Sequence, residues 1–132
     1  MQESIFTKII KGEIPCHKVF EDELTLAFLD INPVAEGHVL VIPKKQVEFV
    51  WDLDDEDYVA LMRTVKKVGR RLREIVGKKY VGEIVVGTDV PHTHIHVIPF
   101  DKSKELLRAA TDPGSAAKPE ALVAMAEKLR FP

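Results

Sequence analysis

With a single cysteine, Cys16, the 132-residue chain has no internal disulfide to form, which excludes the stapled scaffolds of small secreted domains. Charge of one sign is missing as well. Nineteen basic against 21 acidic side chains leave a net charge of -2, so no basic excess drives sequence-independent nucleic-acid binding. Nor is there an apolar run near the ~20 residues that cross a bilayer, and no membrane partner is expected. The opening stretch Met1-Gln2-Glu3-Ser4-Ile5-Phe6-Thr7-Lys8 starts acidic and soon breaks its apolar pattern, unlike a signal peptide. What is present is 45% apolar and 30% charged, the balance of an ordinary globular domain. One domain in the cytoplasm is the expectation.

Local patterns give the element order. Ser4 caps a short helix to Lys11 with Ile5, Phe6, Ile9 and Ile10 on its apolar stripe and Gly12 at its end. Lys18–Glu21 and Thr25–Leu29 read as strands around a turn at Asp22-Glu23, followed by a Pro- and Gly-containing loop from Asp30 to Gly37. His38–Ile42 is a nearly continuous apolar strand stopped by Pro43, which predicts a central position covered on both faces. Apolar residues at spacings of three and four predict a long helix over about Asp54–Val76, acidic at its start, basic near its end, with Gly77 as its C′ residue. Its Arg70, Arg71 and Arg73 read as a solvated face. Glu83–Val86 is expected as a strand after Gly82, and Gly87–Pro91 as a turn. The segment Ala109–Lys118 is small and polar, hence a mobile connection, and a last helix spans about Pro119–Leu129. This order predicts an α+β fold on an antiparallel sheet, without repeats or a second domain.

The sharpest feature is His92-Thr93-His94-Ile95-His96. With five His in the chain, a chance HxHxH would arise roughly once in more than a hundred such chains. Strand alternation puts the three rings on one face, about 7 Å apart, with Thr93, Ile95 and Val97 on the other. Three readings stay open. Two such His can chelate one Zn²⁺, although the first and third are too far apart to share it easily. A neutral imidazole can attack phosphorus while neighbouring rings hold the phosphate oxygens. The third reading is purely structural.

The motif His92-Thr93-His94-Ile95-His96-Val97-Ile98 resembles that of the histidine triad family, His-φ-His-φ-His-φ-φ with φ hydrophobic; Thr93 is the one departure. Three further blocks in order are similar to the family: Ile5–Pro15, Ala27–Pro33 and Gly37–Lys45. Together they cover most of residues 4–100 and are closest to the Hint-like branch. The resemblance implies a five-stranded antiparallel sheet with one long and one short main helix, to which the residues themselves add a C-terminal helix. It divides the chain into a domain over 1–108 and an extension with linker and short helix over 109–132. It implies a homodimer with the long helix around Ala60–Ile75 near the two-fold axis.

The same resemblance implies site roles. His94 matches the nucleophile, His96 and His38 the phosphate contacts, and His92 the residue whose neighbourhood orients His94. Asp30 matches the carboxylate that accepts both ribose hydroxyls, and Ile5, Phe6, Ile14 and Ile31 the slot around a purine base. Alone, Asp30 would read as a turn residue and the four apolar residues as core. Many bacterial members hold a structural zinc where this chain has Ser4, Thr7 and Gln46, so no metal and no other cofactor is expected. The turn before the triad is short, with Thr88 standing in for Gln and Asp89 for a hydroxyl residue near phosphate. The implied activity is hydrolysis that frees a nucleoside 5′-monophosphate from an amine or phosphate through a nucleotidyl-histidine. Alternatives are a dinucleoside polyphosphate hydrolase, a nucleotidylyltransferase, or a non-catalytic nucleotide-binding dimer.

Overall fold

A computed structural model describes residues 2–112 and 114–131. Five strands form one antiparallel sheet in the order β1-β2-β3-β5-β4: β1 Lys18–Glu21, β2 Thr25–Leu29, β3 Val39–Pro43, β4 Tyr80–Ile84 and β5 Ile95–Phe100. β3 is central and buried along its whole length, as its continuous apolar run predicts. The β1–β2 turn is held by Asp22, whose Oδ1 accepts from the Leu24 and Thr25 amides and from the Thr25 hydroxyl.

The sheet has two different faces. One carries Val19, Ala27, Leu29, Val39, Val41, Ile95 and Val97, packed under α2 (Asp55–Ile75) and α4 (Pro119–Leu129). Leu61 and Leu72 of α2 are fully buried there; truncating either to Ala should cost about 2–5 kcal/mol. Thr64, also on α2, meets Thr25 of β2 in a buried hydroxyl–hydroxyl bond of 2.7 Å. On the other face Leu26, Phe28, Leu40 and Ile42 pack with Phe6 of α1 (Ile5–Ile10), whose N-cap Ser4 accepts from the Thr7 amide. The face is otherwise less covered, and the histidines lie on it.

Four sequence expectations need correction. β4 starts at Tyr80 and stops at Ile84, so Gly82 lies inside it and Val85-Val86 outside. The glycine is there for contact: a Cβ would come within 2.8 Å of Leu106 and 2.9 Å of Phe100. Leu106 belongs to α3 (Ser103–Thr111), a helix the sequence reading missed, and Ala109 to Thr111 are part of it instead of a linker. The long helix ends at Val76 in extended conformation, and Gly77 does not take a positive φ. Arg71 leaves the expected solvated face and donates to the carbonyls of Lys128, Leu129 and Arg130, satisfying the end of α4.

Candidate active site

The expected strand carrying all three histidines is shorter than predicted. Only His96 lies in β5; His92 and His94 precede it in an irregular approach, because β4 has already ended at Ile84 and leaves this stretch without a partner on that side. The rings therefore cluster instead of forming a 7 Å row. His94 and His96 have centroids 5.2 Å apart, and His38, expected in a strand but placed just before β3, stands 5.1 Å from His96. His92 turns away from this group. Its Nε2 is 2.8 Å from the Pro43 carbonyl and its Nδ1 2.8 Å from the Ser4 hydroxyl.

Hydrogen-bond arithmetic assigns the protons. A carbonyl can only accept, so His94 Nδ1 donates its proton to the His92 carbonyl, 2.8 Å away. That leaves His94 Nε2 with its lone pair. The Val34 amide donates to His38 Nδ1 at 3.2 Å, so His38 carries its proton on Nε2 and donates to His96 Nδ1 at 2.9 Å. His96 must then hold its proton on Nε2. Burial pushes His96 down to about 4, helped by repulsion from His38 and His94. His38 is lowered by the same desolvation, opposed by the nearby Asp30 carboxylate. Thus the geometry commits Nδ1 of both rings, His94 to the His92 carbonyl and His96 to His38, and leaves each ring its Nε2.

His94, His96 and His38 open onto a cavity of about 330 Å³. Asp30, Asp89, Ile5, Phe6, Ile14 and Ile31 line it too, whereas His92 does not and Thr88 lines a neighbouring cavity. His92 acts from behind, through its carbonyl. Phe6 sets its ring edgewise against both His92 and His94, at 5.8 and 5.0 Å. Asp30 makes the turn bond read for it and also faces His38. Its Oδ1 accepts from the Asn32 amide at 2.8 Å, an Asx turn, while Oδ2 lies 3.6 Å from His38 Nε2. Ile5 and Ile31, expected as slot or core, are 48% and 59% exposed, which rules out the core alternative for both.

Ser4, Thr7 and Gln46 also meet, around the far side of His92. Gln46 Oε1 accepts from the Ser4 amide at 2.9 Å and the Thr7 hydroxyl at 2.7 Å, and its Nε2 donates to the Gln2 carbonyl. With the Thr7 proton so committed, the Ser4 hydroxyl is the donor to His92 Nδ1. The four residues close a hydrogen-bonded cluster on hydroxyl and amide chemistry, in which Ser4 is 5% and His92 0% exposed.

Comparison with known proteins matches the HIT domain over residues 11–103. The chain belongs to the histidine triad family. An adenosine 5′-monophosphoramidase of Schizosaccharomyces pombe is 36% identical over 126 residues, 95% of this chain and 94% of that protein. An uncharacterized HIT-like protein of Borreliella burgdorferi is 43% identical over 110 residues, covering 78% of this chain and 79% of its own. Among solved structures, a Hit-like protein of Bartonella henselae superposes with a TM-score of 0.83 at 31% identity, over 97% and 95% of the two chains. The five-stranded sheet is that of the histidine triad fold.

Within this histidine triad site, Asp30, His38 and His96 bring one donor atom each within 4.8 Å of one another, a set whose chemistry suits a divalent cation. The tautomers argue against occupancy: His38 Nε2 and His96 Nδ1 spend their facing positions on each other, so a cation would have to break that bond. Some determinants were invisible in the sequence. The Val34 amide and the Pro43 carbonyl set ring tautomers but are main-chain groups, which no residue pattern reports. Ala109 of α3 reaches the cavity wall from a segment whose composition suggested only a linker.

Proposed function

We propose that this histidine triad protein hydrolyses nucleotides with an AMP-like 5′-monophosphoryl group bound to an amine or phosphate, through a covalent intermediate on His94. The observation that carries this reading is the hydrogen-bond assignment. His94 and His96 line one cavity, each with Nδ1 committed to a protein partner and Nε2 left over. His94 Nε2 attacks the α-phosphorus, and the bond from phosphorus to the leaving nitrogen or oxygen breaks, its electron pair going to the leaving group, which is protonated from water. His96 donates to a non-bridging oxygen as negative charge gathers there; losing one such donor typically costs about 10²–10³ in rate. Water then attacks the nucleotidyl-histidine, releasing the monophosphate and restoring the bare nitrogen. Asp30 is assigned to the ribose hydroxyls, for which a carboxylate is the fitting acceptor, and the Ile5, Phe6, Ile14 and Ile31 slot to the base.

The relative named as an adenosine 5′-monophosphoramidase supports an amine leaving group. We further assign the working unit as a homodimer. β4 is an open edge strand, and Trp51, Tyr58, Val59 and Tyr80 expose apolar surface near it and along α2. No described helix is long and apolar enough to cross a membrane. Rapid quench with labelled adenosine 5′-phosphoramidate, followed by mass spectrometry, should place the nucleotidyl group on His94. His94→Ala should abolish turnover while leaving AMP affinity within a few-fold. A label on His92 or His96, or near-normal turnover by His94→Ala, would overturn the assignment.

A further inference from the structure

We infer that the C-terminal segment Gly114–Ala117 is a strap that positions the loop carrying Asp30 and Ile31, and so sets the affinity of the site for a nucleoside monophosphate. The inference rests on the nucleotide reading above. Two contacts carry it. The Ala117 amide donates to the Ile31 carbonyl at 3.0 Å. Gly114 runs so close to Pro33 that a Cβ would fall 1.8 Å from the Pro33 carbonyl oxygen and 2.5 Å from its carbon. Backbone against backbone at that distance admits glycine alone.

The loop has little else beneath it. Between its underside and α4 lies a cavity of about 250 Å³, walled by Asp30, Pro33 and His38 on one side and Ala121, Leu122 and Met125 on the other. Asp30 and His38 therefore form a partition, facing the nucleotide cavity in front and this void behind. A partition that is not packed from behind keeps its place through its edges. One edge is the Asp30 amide bonded to the His38 carbonyl at 3.0 Å, and the other is the strap on Ile31 and Pro33. The strap in turn is anchored by α4, whose Leu122, Ala126 and Leu129 are buried in the core. Residues beyond the triad thus support ribose and base recognition without touching the reacting phosphate.

Gly114→Ala and Ala117→Pro test this separately, the first by forcing the strap off Pro33 and the second by deleting the donor to Ile31. Each should raise the AMP dissociation constant and KM roughly 5- to 20-fold, within the range usual for coupled elements, and leave kcat within about twofold. Ala117→Gly, which keeps the N–H, should bind as the unaltered chain does. Coupling is reciprocal, so AMP should slow hydrogen exchange at the Ala117 amide of the unaltered chain by a similar factor. That measurement needs no variant to fold. If AMP binds the unaltered chain but both variants bind it equally well, or Ala117 exchange ignores AMP, the strap has no such role. Failure of AMP to bind the unaltered chain would instead overturn the nucleotide reading itself.

Discussion

Acid should destabilise this protein through the buried histidines of its site. His96 takes up its proton at about 4 in the folded chain but near the ordinary 6.5 once unfolded, because burial and the adjoining rings disfavour the cation. Between those two values the unfolded chain binds a proton that the folded chain refuses. Stability therefore rises with pH across that window and falls as pH drops through it. At about 1.4 kcal/mol per pH unit, the interval from 6.5 to 4 is worth on the order of 3 kcal/mol from this one ring. Domains of this kind keep only about 5–15 kcal/mol in total. His38 and His92 are lowered by burial as well and act in the same direction. Urea titrations at fixed protein concentration, from pH 7.5 to 4.5, should show a plateau above about 6.5 and a steady loss below it. Circular dichroism of the helices is the appropriate signal, since it follows the fold of each chain, whereas the single tryptophan, Trp51, lies on the surface assigned to the dimer contact. His96→Gln keeps an acceptor for His38 and should remove about one proton's worth of slope. An unchanged slope in that variant, or a flat profile in the unaltered chain, would refute the reasoning.

Other outcomes follow from the hydrogen bonds around the site. Ser4→Ala leaves His92 Nδ1 buried without its donor and α1 without its cap, and should cost about 1–3 kcal/mol in thermal or urea unfolding, with Ser4→Thr restoring most of it. Elemental analysis of protein purified without chelator should find no stoichiometric zinc, since Ser4, Thr7 and Gln46 supply neither thiolate nor imidazole; an ion that survives dialysis would contradict this. Asp30→Asn should weaken AMP binding, and 2′-deoxy-AMP should bind the unaltered chain less well, each lost charge-assisted bond being worth roughly 1.5–3 kcal/mol by calorimetry. Equal affinities would return Asp30 to its Asx turn alone. Sedimentation at micromolar concentration should give about twice the 14.9 kDa chain mass, and a clean monomer would exclude the dimer.

Periodicity was a good guide wherever one strand or helix decided its own residues. β1, β2 and α4 run over the stretches their patterns mark, and α2 differs by a residue at each end. It failed where a neighbour decides. Gly82 reads as a break in isolation but is strand backbone under Leu106, and α3 hides because its residues around Ala109 are small. The HxHxH spacing located the site, yet the implied even row of rings was wrong, since His92 is held from outside by Ser4 and Pro43. Family resemblance pointed to Asp30, Ile5, Phe6, Ile14 and Ile31, which line one cavity and which composition could not separate from turn and core. The tautomers that give His94 its bare nitrogen depend on main-chain groups and needed coordinates.

The final approach and β5 interleave two tasks residue by residue. Ile95 and Val97 fill the core under α2, while His94 and His96, between and beside them, face the cavity. A slip of one residue here would bury imidazoles among aliphatic side chains and turn aliphatics into the histidine-lined cavity in a single step. Folding and activity therefore cannot drift apart in this stretch. An insertion that spares one destroys the other, so the segment has almost no neutral changes of length open to it. The turn before it, with Gly87, Thr88 and Asp89 outside any strand, is free of that constraint. Variation in the cavity has its room there, beside a histidine whose own position is tied to the stability of the whole sheet.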